Sequence, residues 1–323
     1  MKLSIAIPAY NAEKSLARTV ESILAQTFRD FEILIVNNGS VDKTGEVARE
    51  LAAKDPRITV FDVYPNIQGY GARLYAWRRA KGEFITSVDA DDWIEPDMYA
   101  EMLRMIDENN LDVVQCDIFG EVRPPEGALD TFEGDALKKE IYRKFIDIGE
   151  GAYIWNKVYR NQYDFLQWKE GPFGNYEDLV HNLQLFRPVR RFGHLHRGYY
   201  HYIVTSSSAT RKFRVEGLDL FPRLVATRAD LVRAYGVADN DSVLNRWVVN
   251  EFRNAFITAA TVGRGPWRER MSNVRAVLEH PELISALTHL SCNCRGCRML
   301  QLARRLPQLV TVGLRFVNHI RGR

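Results

Sequence analysis

The sequence has few cysteines, almost no net charge and no apolar run long enough to cross a membrane. Four cysteines in 323 residues are too few for the disulfide framework of a secreted protein. We therefore expect a reducing compartment and a cytoplasmic protein. The 44 basic and 41 acidic residues leave a net charge of +3, so the total charge predicts no nucleic-acid partner. Pro8 and Asn11 interrupt the first apolar run before it reaches the length of a signal peptide.

The first 120 residues alternate between strand and helix patterns. Runs of β-branched and aromatic residues predict strands, and apolar residues at helical spacing predict the helices between them. The strands are predicted at 3–7, 31–36, 58–61, 84–88 and 112–117, and the helices at 12–26, 42–53, 71–80 and 96–109. Such alternation indicates an α/β fold with a mostly parallel sheet flanked by helices, whose ligands bind beyond the carboxyl ends of the strands. From residue 216 onward the sequence predicts mainly helices, as a C-terminal appendage.

Three carboxylates follow the fourth predicted strand within four residues, namely Asp89, Asp91 and Asp92. Like charges this close repel one another and lose hydration when they are buried, unless a cation lies among them. A metal site is one interpretation of the triplet. A hydrated acidic turn is the other, because aspartate is also common in turns and at helix N-termini. Asp92 in particular is expected to cap the helix that begins near Pro96.

Five sequence strings follow one another between residues 3 and 210. They are IPAYNAEKSLARTVESILAQTF, FEILIVNNGSVDKT, AKGEFITSVDADDWIEPD, IWNKVYR and NYEDLV. Their order and separations resemble the inverting family 2 glycosyltransferases, which have the Rossmann-like GT-A fold and include bacterial surface-polysaccharide enzymes. The resemblance implies a nucleotide-sugar-binding half at 1–120, an acceptor-binding half with the catalytic base at 121–215, and a mainly helical region at 216–323.

The resemblance also implies a nucleotide-sugar donor, an Mn²⁺ or Mg²⁺ ion, and a hydroxyl on a saccharide or lipid-linked acceptor. Sugar transfer passes through an oxocarbenium-like state while a nucleotide diphosphate leaves, so the enzyme must neutralise the diphosphate. Asp91 matches the family's metal-ligating aspartate, and hard oxygen ligands suit both ions. Asp89 matches the first residue of the DxD pattern, beside the ribose or the metal-bound diphosphate, and Ala90 lies between the two in the nucleotide-sugar site.

The pair Glu177-Asp178 matches the position of the family's general base. An aspartate is ionised at neutral pH, so Asp178 is expected to take the proton of the acceptor hydroxyl, with Glu177 orienting the acceptor or supporting the base. One base and no protein nucleophile imply a single displacement that inverts the anomeric configuration. Without the family context, the same pair is typical of a helix N-terminus.

Further contacts to the nucleotide are implied for the loop after the first strand and for two later positions. These residues are Pro8, Ala9, Tyr10, Asn11, Asn38 and Arg73. Tyr10 is expected to pack on the face of the base, and uracil is the base that we expect. Asn38 departs from the family pattern, in which aspartate is usual. An amide oxygen still accepts a hydrogen bond from a ring N–H, but the departure leaves the choice of base open.

Three more residues are assigned by the resemblance alone. Trp155 and Lys157 match an acceptor-side WNK string, and His201 lies where some relatives carry a late contact to the metal or the diphosphate. Stacking on a sugar and packing in the core both remain open for Trp155. The chain has seven histidines, so an accidental match remains open for His201.

Two other functions share parts of this pattern. A sugar-nucleotide pyrophosphorylase also has an α/β nucleotide domain with a metal aspartate. It needs a glycine-rich basic loop after the first strand, however, and residues 8–11 contain neither glycine nor a basic residue. A carbohydrate- or nucleotide-binding relative without turnover would keep the fold. Retention of Asp89, Asp91 and Asp178 together favours the enzyme.

The region before the last helical segment contains a group of zinc-type ligands. His289, Cys292, Cys294 and Cys297 lie within nine residues. The Cys-x-Cys spacing is tight and the usual paired CxxC is missing, so free thiols are favoured over a zinc site.

Apolar residues alternate with arginines from 299 to 320, including Arg304 and Arg305. This pattern suits a helix at an anionic surface, which would hold the protein peripherally on the inner membrane face. Packing on the catalytic domain accounts for the apolar residues equally well, since Pro307 and Gly313 interrupt one long helix. The sequence also leaves a homo-oligomer open.

Overall fold

The computed structural model describes residues 1–120, 125–141, 153–163, 177–203, 240–261, 266–289, 295–308 and 310–311, with positions 222, 225, 226 and 229. The chain divides into two compact units. One unit comprises Met1–Ile141 and Gly151–Ile203, and the other comprises Tyr142–Glu150 and Val204–Arg323. Every catalytic, donor-binding, acceptor-binding and metal-binding residue implied by the family resemblance lies in the first unit. The functional boundaries at 120 and 215 stay predictions.

The described part of the first unit contains nine strands in one sheet. They are β1 (Leu3–Ala9), β2 (Phe31–Asn38), β3 (Ile58–Val63), β4 (Phe84–Ser87), β5 (Trp93–Ile94), β6 (Val113–Ile118), β7 (Leu129–Glu133), β8 (Lys157–Arg160) and β9 (Arg191–His201). The order across the sheet is β3-β2-β1-β4-β8-β6-β9-β5, and β7 pairs with β9 beside this path. The neighbours β3, β2, β1 and β4 are parallel, as are β6 and β9. The α/β sheet predicted from the sequence is therefore confirmed.

Six described helices accompany this sheet. They are α1 (Leu16–Leu24), α2 (Thr44–Lys54), α3 (Gln68–Trp77), α4 (Met98–Asn109), α5 (Gly134–Ile141) and α6 (Glu177–Leu185). The apolar stripe of α1 explains why it forms, because Leu16, Val20 and Ile23 are all fully buried. The helix α4 ends at Asn110, whose φ of 51° is the left-handed conformation that terminates many helices.

Pro8 does not stop β1, which continues to Ala9. In the register with β2, Pro8 lies opposite Val36. On the other side, β4 pairs only with Leu3 to Ala6, so the missing N–H of Pro8 falls beyond the end of that ladder. The loop at this edge of the sheet consequently begins at Tyr10, two residues past the proline.

The antiparallel strand β8 was not predicted from the sequence. It pairs with β4 on one side and with β6 on the other, so that Tyr159 lies opposite Ile85 and Val113. Because β8 comes from the later half of the unit, both halves contribute strands to one sheet. Because β8 runs antiparallel to β4, the segment just before β8 lies at the carboxyl end of β4.

The second unit is described as helices. They are α7 (Asn240–Thr261), α8 (Trp267–Leu278), α9 (Pro281–His289) and α10 (Arg295–Arg305). The side chains of Phe252 and Phe256 on α7 are fully buried, as is Val274 on α8. The helical character predicted for this region is confirmed over the described ranges. No helix in those ranges combines the length and the apolar character needed to cross a membrane.

Candidate active site

Hydrogen bonds tie the loops after β1 and β2 to each other at the carboxyl end of these strands. The backbone N–H of Asn11 donates to Ser40 Oγ at 3.1 Å, and the N–H of Val41 donates to Asn11 Oδ1 at 3.0 Å. Asn11 has φ 49°, a left-handed conformation that asparagine adopts more readily than most residues. Tyr10 is 53% exposed next to this link, so its ring is open to a ligand at this edge.

Asn38 at the end of β2 holds the segment that leads into α3. Its Oδ1 accepts from the N–H of Ile67 at 2.8 Å, and its Nδ2 donates to the carbonyl oxygen of Gln68 at 3.0 Å. An ionised carboxylate donates no hydrogen bond, so aspartate at this position would lose the second contact. The side chain is buried, and its contact with a nucleotide base stays a prediction.

The acidic loop, residues 89–92, follows β4 and is held through its backbone by α1. Thr19 Oγ1 donates to the carbonyl oxygens of Ala90 and Asp92 at 3.0 and 2.7 Å. Arg18 Nη2 donates to the carbonyl oxygen of Asp91 at 2.5 Å. Because the backbone is held in this way, the positions of the carboxylates are set by the fold rather than by their mutual repulsion. Ala90 itself is buried, as is Ala9 at the end of β1, whereas Pro8 is half-buried.

Asp92 points into the protein and does not cap α4, contrary to our expectation. Its Oδ2 accepts from the hydroxyl of Tyr200 at 2.8 Å, and its Oδ1 accepts from the N–H of Ile203 at 2.7 Å. The residue before α4 is Asp97, which makes no capping hydrogen bond through its side chain. Asp92 is 1% exposed, and burial together with the charge of Asp89 raises its pKa to about 8. Asp92 therefore anchors the acidic loop to the end of β9.

Asp91 differs from Asp92 in keeping some contact with solvent. Burial and the nearby charge of Asp89 raise the pKa of Asp91, while its own backbone N–H and the cation of Arg18 oppose the increase. A carboxylate whose charge is disfavoured in this way gains stability when a cation comes close. The arrangement therefore fits a cation site at Asp89 and Asp91.

Arg73 on α3 joins the acidic loop to α6. Its Nη2 lies 2.6 Å from Asp89 Oδ1, and its Nη1 lies 3.0 Å from Asp178 Oδ1. Its Nε donates to Ser87 Oγ at 3.3 Å, at the end of β4. The guanidinium is only 6% exposed, whereas about a quarter of each carboxylate side chain is exposed. A single buried cation thus bridges the predicted donor-binding aspartate and the predicted base.

Asp178 lies in the first turn of α6, where the sequence predicted a helix N-terminus. Burial and the charge of Asp89 raise the pKa of its carboxyl, and the cations of Arg73 and Lys157 oppose this effect. A raised pKa makes an aspartate a stronger acceptor for the proton of a hydroxyl, provided that it stays ionised at the working pH. The two neighbouring cations favour the ionised form.

The sequence of the strands that build this site identifies the family. Residues 4–128 match the family described as Glycosyl transferase family 2. The putative glycosyltransferase EpsH of Bacillus subtilis is 29% identical over 284 residues, which span 81% of this chain and 82% of that protein. Residues 4–128 thus carry a family 2 glycosyltransferase domain. The family match includes the acidic loop and Arg73, whereas Asp178 and β9 follow it in the chain.

Two solved structures share the fold of this glycosyltransferase at low sequence identity. TarS residues 1–349 of S. aureus in complex with UDP-GlcNAc has a TM-score of 0.66 and 20% identity, covering 95% of this chain and 93% of that one. The mannosyltransferase PcManGT of Pyrobaculum calidifontis, in complex with GDP-Man and Mn²⁺, has a TM-score of 0.51 and 15% identity, covering 95% and 88%. These likenesses, with the sheet order described above, confirm the GT-A fold of the enzyme.

Trp155 of the glycosyltransferase is a member of an aromatic stack. Its ring lies 4.0 Å from that of Tyr200 and 4.7 Å from that of Tyr153, measured between centroids. Trp155 is 2% exposed, whereas Tyr153 is 43% exposed. Tyr153, which was not singled out from the sequence, is therefore an exposed member of this stack. The acceptor contact of Trp155 stays a prediction.

Lys157 is fully buried, and its ammonium group contacts the chain just before it. Its Nζ donates to the carbonyl oxygen of Tyr153 and to Asn156 Oδ1, the latter at 3.0 Å. These bonds fix the turn that carries Tyr153 and Trp155 into β8. A direct contact of Lys157 with the acceptor stays a prediction.

His201 at the end of β9 is held by aromatic stacking and one carboxylate. Its ring lies 3.4 Å from that of Trp93 and 4.1 Å from that of Phe119, and its Nε2 lies 2.7 Å from Glu95 Oε1. The imidazole is thus engaged by the segment after the acidic loop. Its role as a metal ligand stays a prediction.

Several predicted residues fall outside the described part of the chain. Glu177 is the first residue of α6, but its side chain is not described, and the same applies to Cys297 on α10. Cys292 and Cys294 lie in the range 290–294, outside the described residues. The zinc and free-thiol interpretations of that segment both stay predictions.

Tyr200 and Ser87 are site residues that sequence reasoning missed. The hydroxyl of Tyr200 donates to Asp92 and accepts the N–H of Asp89 at 3.2 Å. The tyrosine-rich stretch around it was visible in the sequence, but no local pattern distinguishes a tyrosine that supports a loop from one in a core. Ser87 was the last residue before the acidic triplet, and its contact with Arg73 depends on how α3 crosses the sheet.

The buried state of Asp92 makes a prediction about pH and stability. The folded protein holds a proton on Asp92 up to about pH 8, whereas an unfolded chain releases it near pH 4. The contribution of Asp92 to the free energy of unfolding is therefore complete below about pH 4, and it is lost as the pH rises towards 8. We expect Asp92→Asn, which does not ionise, to gain stability relative to the native protein over that range. Urea denaturation in metal-free buffer at several pH values measures the difference.

The exposed Asp97 provides the control for this experiment, because it lies in the same segment without the buried contacts. Asp97→Asn should not reproduce the gain in stability expected for Asp92→Asn. If the free energies of unfolding of Asp92→Asn and the native protein changed with pH in parallel, the raised pKa of Asp92 would be contradicted.

Proposed function

We propose that this enzyme transfers a sugar from a nucleotide sugar, with UDP as the expected nucleotide, to a hydroxyl of a saccharide or lipid-linked acceptor during surface-polysaccharide synthesis. The transfer depends on a divalent metal and inverts the anomeric configuration. The observation that carries this proposal is the bridge of Arg73 between Asp89 and Asp178, because it couples the donor side of the site to the base.

The acidic loop has the chemistry of a site for Mn²⁺ or Mg²⁺. Asp89 and Asp91 provide hard carboxylate oxygens, and the raised pKa of Asp91 reflects burial and the charge of Asp89, both of which a nearby cation offsets. Such an ion, bound to the donor diphosphate, supplies Lewis-acid stabilisation of the leaving group. Thr19 and Arg18 hold the backbone of the loop, so these carboxylates need little reorganisation when the donor arrives.

Asp178 is the group that we assign as general base. It is the described carboxylate of α6 that contacts Arg73, and its partly exposed side chain gives an acceptor hydroxyl access to it. When Asp178 takes the proton of that hydroxyl, the negative charge beside Arg73 is lost as the glycosidic bond forms. Arg73 then retains Asp89 as its partner, so the cation is never left without a carboxylate.

The relatives support the class of donor. The TarS and PcManGT structures contain UDP-GlcNAc and GDP-Man, respectively, and the second also contains Mn²⁺. In this chain the exposed ring of Tyr10 and the loops after β1 and β2 offer an edge for a nucleoside. The putative glycosyltransferase EpsH supports the same general chemistry.

Asp91→Ala should abolish the part of donor affinity that depends on metal. In the native protein, UDP-GlcNAc or GDP-Man is expected to bind more tightly with Mn²⁺ than with a chelator, as measured by calorimetry. Loss of a group that merely supports a metal ligand costs roughly 10–100-fold in metal affinity. Loss of a direct ligand should therefore reduce the gain in donor affinity by more than this. The exposed Asp97 again serves as control, and Asp97→Ala should keep the full gain. Unchanged Mn²⁺ dependence in Asp91→Ala would contradict the metal site.

Asp178→Asn should bind the donor nearly as well as the native enzyme while transferring sugar at least about 100-fold more slowly, the usual scale for a general base. The native rate should also fall as the pH is lowered through the raised pKa of Asp178, above the ordinary aspartate range, because the base must be ionised. This acidic limb should disappear in Asp178→Asn. Product NMR should show an inverted anomeric configuration.

Asp135→Asn is the matched control, since Asp135 is 87% exposed on α5 and pairs with Lys138. It should keep the native rate and pH profile. Normal turnover in Asp178→Asn would assign the base elsewhere, and a retained anomeric configuration would refute the single displacement.

We also propose that the C-terminal arginine-rich segment brings the enzyme to an anionic membrane surface that presents a lipid-linked acceptor. On α10, Leu300 and Ala303 are buried, whereas Leu302 is 52% exposed and adjoins the exposed Arg304 and Arg305. One face of α10 thus packs within its own unit, and another combines apolar and cationic side chains, as interfacial helices do. The described part of this segment ends at residue 311.

Replacing Arg304 and Arg305 together by glutamine should weaken flotation of the protein with anionic liposomes, because each cation near such a surface contributes about 1 kcal/mol. The control is Arg104→Gln, an exposed arginine of α4 that lies in the other unit. Neutral liposomes should float neither form. Equal flotation of the double variant and the control would remove this segment from the proposal.

A further inference from the structure

A second set of metal-type ligands lies on β6 and β9, apart from the acidic loop in the sequence. Within the described residues, Asp117, His194 and His196 bring one ligand atom each to within 4.8 Å of one another. All three residues are buried, with 9%, 8% and 8% of their surface exposed. Two imidazoles and one carboxylate are typical ligands of zinc and related transition ions, and they differ from the oxygen ligands that Mg²⁺ prefers.

The strand pairing explains why these three side chains converge. His194 and His196 are two residues apart on β9 and so point to the same face of the sheet. Gln115 of β6 lies opposite His194, but the register then shifts, so that Asp117 lies opposite Gly198. Bulges of this kind change the direction of a side chain. Here the carboxylate of Asp117 lies 2.7 Å from His194 Nε2 and 3.7 Å from His196 Nδ1.

The protonation of His196 gives the second observation. Its Nε2 lies 2.8 Å from Asp130 Oδ2 on β7, and a carboxylate only accepts, so Nε2 carries the proton. In the neutral ring, Nδ1 then presents a lone pair. This buried nitrogen makes no hydrogen bond within the described part of the chain and faces Asp117 Oδ2. His196 Nδ1 and Asp117 Oδ2 are both acceptors, and a cation between them stabilises this arrangement.

We propose that Asp117, His194 and His196 bind a zinc-type divalent ion that joins β6 to β9, independently of the catalytic cation. Ligand atoms of a tetrahedral zinc site lie about 3.3 Å apart, and the distances of 2.7 and 3.7 Å bracket this value. His196 coordinates through Nδ1 while Asp130 holds its Nε2–H, the carboxylate–histidine–metal arrangement common in zinc proteins. His194 coordinates through Nε2 after its proton moves to Nδ1.

The bound ion has a structural consequence. The strand β7 pairs with β9, and Asp130 attaches β7 to His196 through its side chain as well. An ion held by Asp117 and both histidines therefore connects three strands of the sheet. It fixes the irregular register between β6 and β9, beyond which Tyr200 supports the acidic loop.

The test is zinc and cobalt binding to full-length protein that has been stripped with a chelator and dialysed. The native protein should bind Zn²⁺ without any nucleotide sugar, melt at a higher temperature with Zn²⁺, and bind Co²⁺ with the spectrum of nitrogen and oxygen ligands. His196→Gln should abolish this binding. Asp130→Asn should weaken it about 10–100-fold, as loss of a group that orients a metal-bound histidine does. Asp130 has a 60% exposed side chain, so this variant tests the site even if His196→Gln fails to fold.

Two controls separate this site from other metal sites. Asp91→Ala should keep Zn²⁺ affinity, so that failure of the catalytic cation site and failure of this one are distinguishable. His289→Ala, on the exposed end of α9, should keep it as well. Unchanged Zn²⁺ affinity in Asp130→Asn, no Zn²⁺ binding to the native protein, or sulfur-to-cobalt charge-transfer bands from cysteine ligands would each overturn the proposal.

Discussion

The buried guanidinium of Arg73 is the contact on which the arrangement of the site depends. It connects α3, the end of β4 and α6 through Asp89, Ser87 and Asp178. Burying a cation is costly unless it is paired and its N–H groups are satisfied, and three acceptors meet that condition here. Without Arg73, Asp89 and Asp178 would repel each other in a poorly hydrated pocket. The same cation therefore stabilises the fold locally and favours the ionised form of the proposed base.

The strand β9 is the second support of the site. Its residue Tyr200 binds both the backbone of Asp89 and the carboxylate of Asp92, and the backbone after it binds Asp92 again. The acidic loop is thus held by α1 on one side and by β9 on another. His194 and His196 lie earlier on the same strand, where the pairing with β6 changes register. An ion at that point would stiffen the strand that positions the donor loop.

The relation to other glycosyltransferases is strongest in the fold and in the donor half. The family match ends at residue 128, whereas similarity to TarS extends over 95% of this chain at 20% identity. Loops at the ends of conserved strands change more readily than the strands themselves. Asn38, the last residue of β2, departs from the family pattern next to such a loop. Its amide oxygen accepts a hydrogen bond from the segment leading into α3, and its amide nitrogen donates one to it. An ionised aspartate could make only the first of these contacts.

Local patterns in the sequence determined the parallel strands, the helices between them and the position of the acidic triplet. They did so because each strand and helix buries one face, and that burial repeats with a period visible over ten or so residues. The family strings added the expected roles of Asp91, which follows β4, and of Asp178, in the first turn of α6, and both roles stay proposals. Boundaries differed by a few residues, and Pro8 proved compatible with β1 because the neighbouring ladder had already ended.

Tertiary structure alone decided the contacts between distant segments. Asp92 and Tyr200 are 108 residues apart in the chain, so no local pattern predicted that Asp92 would anchor β9 rather than cap α4. The pairing of β8 with β4 and β6, the bridge of Arg73 to Asp178, and the convergence of Asp117 with two histidines arise in the same way. Each depends on which strands become neighbours and in which register, and that choice is made by the packing of the whole sheet rather than by any one segment.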